Sequence, residues 1–150
     1  MKLRKSVVGM LFLVVCVAAG AADRKFIVKQ RPADTKALPF SDAVLVGNTL
    51  YIAGHIGLDA KTGQAPANAE EEAKVVMDGI KQTVESAGMS MDDVVSLQVF
   101  CTDLKLYDTF NAVYKTYFHT DYPARAFVGI DKLLRSGRYE VMGIAIKKSQ

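Results

Sequence analysis

The feature that most limits the possible folds is a helix-forming segment, residues 68–88, that is apolar along one side only. Asn68 is a residue type that caps helix N-termini, and Gly88 is one that ends helices in the left-handed conformation. Apolar residues recur between them at the spacing of one helix face: Ala69, Ala73, Val76, Ile80, Val84 and Ala87. The other face has charges of alternating sign. We therefore expect a helix that covers a sheet with one face and meets water with the other.

Segments rich in β-branched residues lie on both sides of this helix. Five are predicted to be strands: 43–46, 49–53, 94–101, 124–130 and 138–146. Gly47 and Asn48 join the first two as a two-residue hairpin turn. A second amphipathic helix is predicted over 106–118, with a stripe of aromatic residues, and residues 23–40 are expected to be an irregular or edge-strand arm. This order predicts an α+β fold, a mixed β-sheet with two helices packed on one face.

The N-terminus has the layout of a secretory signal peptide: basic residues at 2, 4 and 5, an apolar run over 6–17 and small residues at 18–22. We expect cleavage after Ala21, or after Ala22. The mature protein would then be a single domain over 22–150 that is periplasmic or secreted and no longer membrane-associated. Cys16 leaves a lipid anchor as an alternative, against which Val15 argues because lipoprotein sites need a small residue there.

Removal of the signal peptide changes the charge balance. The full chain has 19 Lys and Arg against 16 Asp and Glu, and three of the basic residues lie in the signal, which leaves 16 of each sign. A neutral balance does not predict a nucleic-acid partner. Cys101 would be the only remaining cysteine, so neither an internal disulfide nor a cysteine metal cluster is expected.

Standard signatures of metal, phosphate or nucleophile sites do not occur in the sequence. His55, at a strand end, is either a ligand or base or simply a packed side chain. His119, at a helix C-terminus, is more simply a surface residue. Cys101 shares a strand face with Leu97 and Val99, which indicates a small buried hydrophobe and not a reactive thiol.

Two charges interrupt the predicted strands near the C-terminus. Arg125 shares a strand face with Phe127, and Glu140 shares one with Met142. A charge withdrawn from water without a partner is costly, so each needs an explanation. Either the two side chains pair with each other or reach the sheet edge. Or they form an anion site, in which the guanidinium binds a carboxylate and the glutamate handles protons or water.

Several stretches of the chain resemble the RidA family of reactive intermediate deaminases, formerly called YjgF. They are residues 46–54 with 56–57, 87–88 with 92–95, 99–104, 110–111, 113–114, 117–118, 123–126, and Glu140 with 144–146. These stretches cover nearly all of the expected mature chain, in order. The resemblance implies a fold like that of the chorismate mutase trimer, and a homotrimer with three clefts between subunits.

The resemblance also implies an enamine/imine deaminase that hydrolyses 2-imino acids to 2-keto acids and ammonia, with no metal and no organic cofactor. In that family Arg125 would bind the carboxylate of the substrate, and Glu140 would position or protonate the attacking water. The backbone carbonyl of Phe127 would accept a hydrogen bond from the imine nitrogen. Asn111 and Gly54 would line the same cleft.

The chain departs from the family at two positions. Phe40 stands where active members commonly have a tyrosine, and Ala53 where they have a serine. Each change removes a hydroxyl that could hydrogen-bond the substrate or water, which costs about 1–3 kcal/mol if the partner is left unsatisfied. The alternative function is therefore a non-catalytic trimeric module that binds small carboxylates or partner proteins in the same cleft.

Overall fold

The apolar stripe predicted from the sequence forms helix α1, Ala69–Ser86. The structure, a computed structural model, describes residues 23–29, 38–119 and 121–148. The predicted signal peptide and residues 30–37 of the predicted arm lie outside the described residues. The elements are β1 (Arg24–Ile27), β2 (Ala43–Val46), β3 (Thr49–Ile56), α1, β4 (Val94–Cys101), α2 (Tyr107–Tyr114), β5 (Ala124–Gly129) and β6 (Tyr139–Ile146).

Both ends of α1 are formed by the residues that the sequence indicated. The Asn68 side chain accepts hydrogen bonds from the backbone N–H groups of Glu70 at 2.8 Å and Glu71 at 3.2 Å. Gly88 has φ +73°, the left-handed conformation that a residue with a Cβ rarely adopts. No helix in the described ranges is long and apolar enough to cross a membrane.

The strands form one six-stranded mixed sheet in the order β1-β2-β3-β6-β4-β5. All neighbours are antiparallel except β4 and β5, which are parallel. The predicted hairpin is confirmed as β2 and β3, joined at Gly47 and Asn48. The predicted arm contributes edge strand β1. Both helices cover one face of this sheet, as predicted, and the buried apolar residues of β3, β4 and β6 pack beneath them.

Strand β3 runs three residues further than the sequence indicated, because a β-bulge lets it continue. Ile52 pairs with Gly143 but His55 pairs with Val141, so three steps along β3 match two along β6. The extra residue is absorbed at Ala53–Gly54, and His55 therefore faces α1 as Ile52 does.

Helix α2 is shorter than the predicted 106–118. It spans Tyr107–Tyr114 and is flanked by 3₁₀ turns at 104–106 and 115–117. The hydroxyl of Thr116 donates to the carbonyl of Val113 at 2.7 Å. A continuing α-helix would give that carbonyl to the N–H of Tyr117, so the side chain competes with the helix at this point.

An ion pair between a buried carboxylate and a partly exposed arginine ties α1 to the start of β6. Glu72 is completely buried, and its Oε2 accepts from Nη1 of Arg138 at 2.6 Å. Its Oε1 accepts from the backbone N–H of Arg138 and, at 3.1 Å, from that of Tyr139. Because Glu140 follows directly, the pair also fixes where that side chain leaves the sheet.

The face of the sheet opposite the helices is apolar and exposed in the single chain. The large exposed apolar residues on this open face are Phe26, Tyr51, Val128, Met142 and Ile146. Several large exposed apolar residues on one face are typical of an interaction surface.

Candidate active site

Arg125 lies on β5, at the edge of the sheet, and is held among aromatic rings on the helix-covered face. Its Cζ is 4.5 Å from the centre of the Tyr114 ring, 5.6 Å from that of Phe127 and 5.7 Å from that of Tyr107. Its Nη2 also donates to the Tyr107 hydroxyl at 3.4 Å. Cation–π contacts to three rings fix the guanidinium without neutralising its charge.

Two polar atoms in this cluster have no hydrogen-bond partner. Among the described residues, the buried side-chain polar atoms without a hydrogen-bond partner are Nη1 of Arg125 and the hydroxyl oxygen of Tyr114. Tyr114 is only 4% exposed. Buried polar groups are nearly always satisfied, so two unpaired donors side by side indicate a place where a ligand or water binds.

Both residues line one cavity of about 370 Å³ at the sheet edge. Its lining residues are Tyr107, Asn111, Tyr114, Lys115, Tyr122, Pro123 and Arg125. The volume falls in the range of about 300–1,000 Å³ that is typical of small-molecule sites. The structure thus brings together two of the predicted site residues, Arg125 and Asn111. Phe127 is next to them, with its ring 4.9 Å from that of Tyr107.

Tyr114 is a hydrogen-bond donor at neutral pH. Burial raises its pKa to about 12, although the positive charge of Arg125 acts in the opposite direction. The hydroxyl therefore stays protonated and can donate, together with the guanidinium, to a negatively charged oxygen in the cavity.

Glu140 does not line this cavity. The ion pair between Arg125 and Glu140 that was considered from the sequence does not form within one chain. Arg125 pairs with Leu97 of β4, whereas Glu140 pairs with Phe100 of the same strand. Residues three apart on a regular strand point to opposite faces of the sheet. Arg125 therefore lies on the helix-covered face and Glu140 on the open face.

Glu140 lies instead against the bulge of β3. A Cβ built on Gly54 would be 2.1 Å from Oε1 of Glu140, so only glycine leaves room for the carboxylate. Ala53, next to it, donates its backbone N–H to the carbonyl of Asp42 at 3.0 Å. Phe40 is 52% exposed at the start of the segment that leads into β2. Glu140 and Gly54 thus form a second group of predicted site residues, separate from the Arg125 cavity.

The other residues considered from the sequence are two histidines and a cysteine. His55 is half-buried, with Nδ1 2.8 Å from the carbonyl of Ala53 and Nε2 3.0 Å from the hydroxyl of Thr83. His119 is exposed. Cys101 is buried as predicted, and burial raises the pKa of its thiol, which keeps it in the unreactive protonated form.

Of the residues that line the cavity, the sequence predicted only Asn111 and Arg125 as site residues and did not assign Tyr107, Tyr114, Lys115, Tyr122 and Pro123 to a site. Tyr122 directly precedes Pro123 and β5, and Lys115 lies one helical turn after Asn111. That four-residue spacing was the available signal. Tyr107 and Tyr114 belong to the aromatic stripe predicted for the second helix, and they also line the cavity. No group of three or more His, Cys, Asp or Glu side chains in the described ranges could hold a metal ion.

The fold and this site define a small α+β protein with an arginine-lined cavity at the edge of a mixed sheet. The family model described as Endoribonuclease L-PSP matches residues 29–147. That match covers well over half of the chain, and the chain therefore belongs to the RidA (YjgF) family, as its sequence indicated.

Relatives and solved structures agree with this assignment. The chain is 39% identical over 110 residues to a 2-iminobutanoate/2-iminopropanoate deaminase of Bos taurus, covering 73% of this chain and 80% of the relative. It is 32% identical to the YjgF gene product of E. coli, with a TM-score of 0.75, covering 83% of this chain and 99% of that one. E. coli TdcF, solved with bound serine, is 30% identical with a TM-score of 0.75, covering 83% of this chain and all of TdcF.

Proposed function

We propose that this protein is an imine deaminase that hydrolyses 2-imino acids to 2-keto acids and ammonia. The observation that supports this most is the convergence of two unpaired buried donors, Arg125 Nη1 and the Tyr114 hydroxyl, on one cavity. A guanidinium and a hydroxyl are suited to the two oxygens of a carboxylate. Relatives bear the name of this activity, and the TdcF structure contains serine, a small carboxylate.

The proposed reaction uses water as its only co-substrate. With the substrate carboxylate bound by Arg125, a water oxygen attacks C2 of the imine and forms a tetrahedral amino alcohol. Glu140 accepts the proton from the water, and the nitrogen is protonated in turn. The hydroxyl proton of the amino alcohol then passes through Glu140 to the nitrogen as the C–N bond breaks, which releases ammonia and leaves the C=O group of the keto acid. Because imines already react with water, positioning of the reactants supplies most of the rate enhancement.

This mechanism needs two copies of the chain. Strands β5 and β6 are separated by β4, so Arg125 and Glu140 lie about 10 Å apart across the sheet as well as on opposite faces. One substrate cannot contact both side chains of one copy. We propose a homotrimer in which the open face of one subunit brings Glu140, Gly54 and Ala53 to the Arg125 cavity of the next. The exposed apolar residues of the open face support such an assembly.

The activity is tested with a coupled assay. An amino-acid oxidase generates the imine in situ, and keto-acid formation is followed with and without the purified mature protein. Arg125→Ala should lower the protein-dependent rate of keto-acid formation by about 100-fold or more, because the substrate carboxylate loses the guanidinium that binds it. Lys25→Ala, an exposed cation on the other edge strand that lies on the helix-covered side, is the matched control and should behave like wild type. Equal rates for wild type and Arg125→Ala would refute the proposal.

The shared site is tested by mixing two inactive variants. Arg125→Ala and Glu140→Gln, refolded together, should regain about a quarter of the wild-type activity. That fraction arises because a site is intact only where one subunit supplies Arg125 and its neighbour supplies Glu140. No recovery, with trimers present by light scattering, would show that both groups act from one copy.

A second candidate function is binding of small carboxylates without turnover. It is favoured by Phe40 and Ala53, since neither side chain has the hydroxyl that active family members commonly have at these positions. Thermal shift with 2-oxobutanoate but no coupled activity would support it. The variant Phe40→Tyr, Ala53→Ser distinguishes the two, since activity in that variant alone would locate the defect in the missing hydroxyls.

Export is part of the proposal. Residues 1–21 have the layout of a signal peptide, and we propose that the mature protein is periplasmic or secreted. N-terminal sequencing of protein recovered from the periplasm should begin at Ala22 or Asp23. RNA cleavage, named in the family description, receives less support because the expected mature chain has equal numbers of acidic and basic residues.

A further inference from the structure

We propose that His55 is a positioning residue for the Glu140 carboxylate. Its ring holds the bulge of β3 at Ala53–Gly54 from the helix-covered face of the sheet, and Glu140 lies against the same bulge on the open face. The inference rests on the proposed function for the role of Glu140. It assigns a task to a histidine that the proposed reaction does not use directly.

Both ring nitrogens of His55 are held. Nδ1 lies 2.8 Å from the carbonyl oxygen of Ala53, and Nε2 lies 3.0 Å from the hydroxyl oxygen of Thr83 on α1. Because a carbonyl oxygen can only accept a hydrogen bond, Nδ1 carries a proton and is the donor. The Thr83 hydroxyl can donate or accept, so it suits Nε2 with or without a proton. The ring therefore links the backbone of the bulge to α1.

The attachment point on α1 is buried and close to the ring. Thr83 is completely buried, and its hydroxyl also lies 2.9 Å from the carbonyl oxygen of Gly79, one turn earlier in the helix. A Cβ on Gly79 would be 3.3 Å from Cδ2 of His55, which is closer than ordinary contacts. Glycine is unfavourable inside a helix, and the close approach of the ring accounts for it here.

The bulge is the place where this attachment reaches Glu140. The pairing of β3 with β6 passes from Ile52 to His55 and leaves Ala53 and Gly54 without regular partners. The His55 ring bonds the residue on one side of Gly54, and its own backbone is the residue on the other side. A Cβ on Gly54 would be 2.1 Å from Oε1 of Glu140, so the carboxylate lies close to this piece of backbone. A shift of the bulge would therefore shift the surface against which the carboxylate rests.

A direct role of His55 as a base on the substrate is the competing possibility. His55 faces Thr83 and α1, whereas Glu140 lies on the open face of the sheet. His55 also does not line the Arg125 cavity. Its effect on the reaction must consequently pass through the backbone, as expected of a residue that orients another.

Two replacements of His55 test the hydrogen bond to the bulge. His55→Asn keeps an N–H donor at about the position of Nδ1, whereas His55→Leu fills the space without a donor. In the coupled assay, kcat for 2-iminobutanoate should fall about ten-fold or more in His55→Leu and stay within about three-fold of wild type in His55→Asn. The Kd for 2-oxobutanoate should change by less than about two-fold in both, because Arg125 is untouched. Equal kcat values for the two variants would overturn the inference.

Two further variants control for a general loss of stability and for the route of the effect. Ile80→Val removes one methyl group from the buried face of α1 and should keep the kcat of wild type. A fall in kcat as large as that of His55→Leu would contradict a specific role of the ring. In a Glu140→Asp background, His55→Leu should lower kcat little further, since both changes act on the same carboxylate. Losses that add would place the effect of His55 elsewhere and refute the inference.

Amide hydrogen exchange separates this inference from the proposed function. The backbone N–H of Ala53 donates to the carbonyl of Asp42 at 3.0 Å, so its exchange reports opening of the bulge. Exchange at Ala53 should be about ten-fold faster in His55→Leu than in Ile80→Val. Faster exchange, without turnover of any imine by the wild-type protein, refutes the deaminase and keeps His55 as the group that holds the bulge. Turnover that is the same in wild type and His55→Leu refutes the inference and leaves the deaminase in place.

Discussion

The replacement Gly54→Ala should separate catalysis from binding. The new Cβ would be 2.1 Å from Oε1 of Glu140, whereas ordinary contacts begin at 3.4 Å. The carboxylate must therefore move by about 1.3 Å, the difference between these two distances. A displacement of about 1 Å in a reacting group lowers the rate by about 100-fold. We accordingly expect kcat for 2-iminobutanoate to fall by about two orders of magnitude.

Stability and ligand binding should change far less. The atom that must move is at the end of a flexible side chain, so the free energy of unfolding should fall by less than about 1 kcal/mol. The Kd for 2-oxobutanoate should stay within about three-fold of wild type, because Arg125 and the Tyr114 hydroxyl hold the carboxylate. The assays are single-turnover kinetics, calorimetry and urea unfolding of the same preparations.

Two further variants control for other causes. Gly63→Ala introduces a Cβ with nothing within 4 Å but at φ +67°, so it strains the backbone without reaching Glu140. It should lose stability and keep its kcat. Glu140→Asp withdraws the carboxylate, and in that background Gly54→Ala should have little additional effect. A kcat for Gly54→Ala within about three-fold of wild type, or losses that add in the double variant, would refute the displacement of Glu140 as the cause.

Three further predictions concern the frame that positions the site. Glu72→Ala should lower the free energy of unfolding by about 3–5 kcal/mol, seen in urea titration, because Arg138 would lose its buried partner; a loss below 1 kcal/mol would contradict this. Asn68→Ala should cost about 1 kcal/mol through loss of the α1 cap, and Asn68→Asp should restore it. Burial tends to raise the pKa of Asp93, but hydrogen bonds from the backbone N–H groups of Ser90 and Lys148 outweigh it and lower the pKa. The Asp93 carboxylate therefore stabilises the fold above its unfolded pKa of about 3.9, and this stabilisation is lost as the pH falls through the folded pKa. In Asp93→Asn, the free energy of unfolding should consequently depend less on pH below about pH 4.

The parts of the fold that were predictable are those encoded locally. The helix stripe, its Asn68 cap and Gly88, and the turn at Gly47 each depend on residues that are close together in the sequence. The end of β3 was not predictable in this way, since the bulge at Ala53–Gly54 has meaning only against its partner β6.

The charged residues show the same limit. The sequence singled out Arg125 and Glu140 as charges within strands. Their placement on opposite faces depends on β4 lying between β5 and β6, which no local pattern specifies. Glu72 was overlooked because charges on a helix usually meet water. It falls on the apolar stripe, three residues after Ala69 and four before Val76, and that position was the signal of burial.

The bulge in β3 also determines which changes in chain length this strand could accept. Elsewhere in β3, deletion of one residue would turn every later side chain to the other face of the sheet, exchanging core for surface. Between Ile52 and His55, a deletion would instead remove the extra residue and leave His55 facing α1. A shortened chain should therefore still fold, with a regular strand in place of the gap that receives the Glu140 carboxylate. Within this strand, the bulge is the place where evolution could shorten the protein and alter its chemistry in a single step.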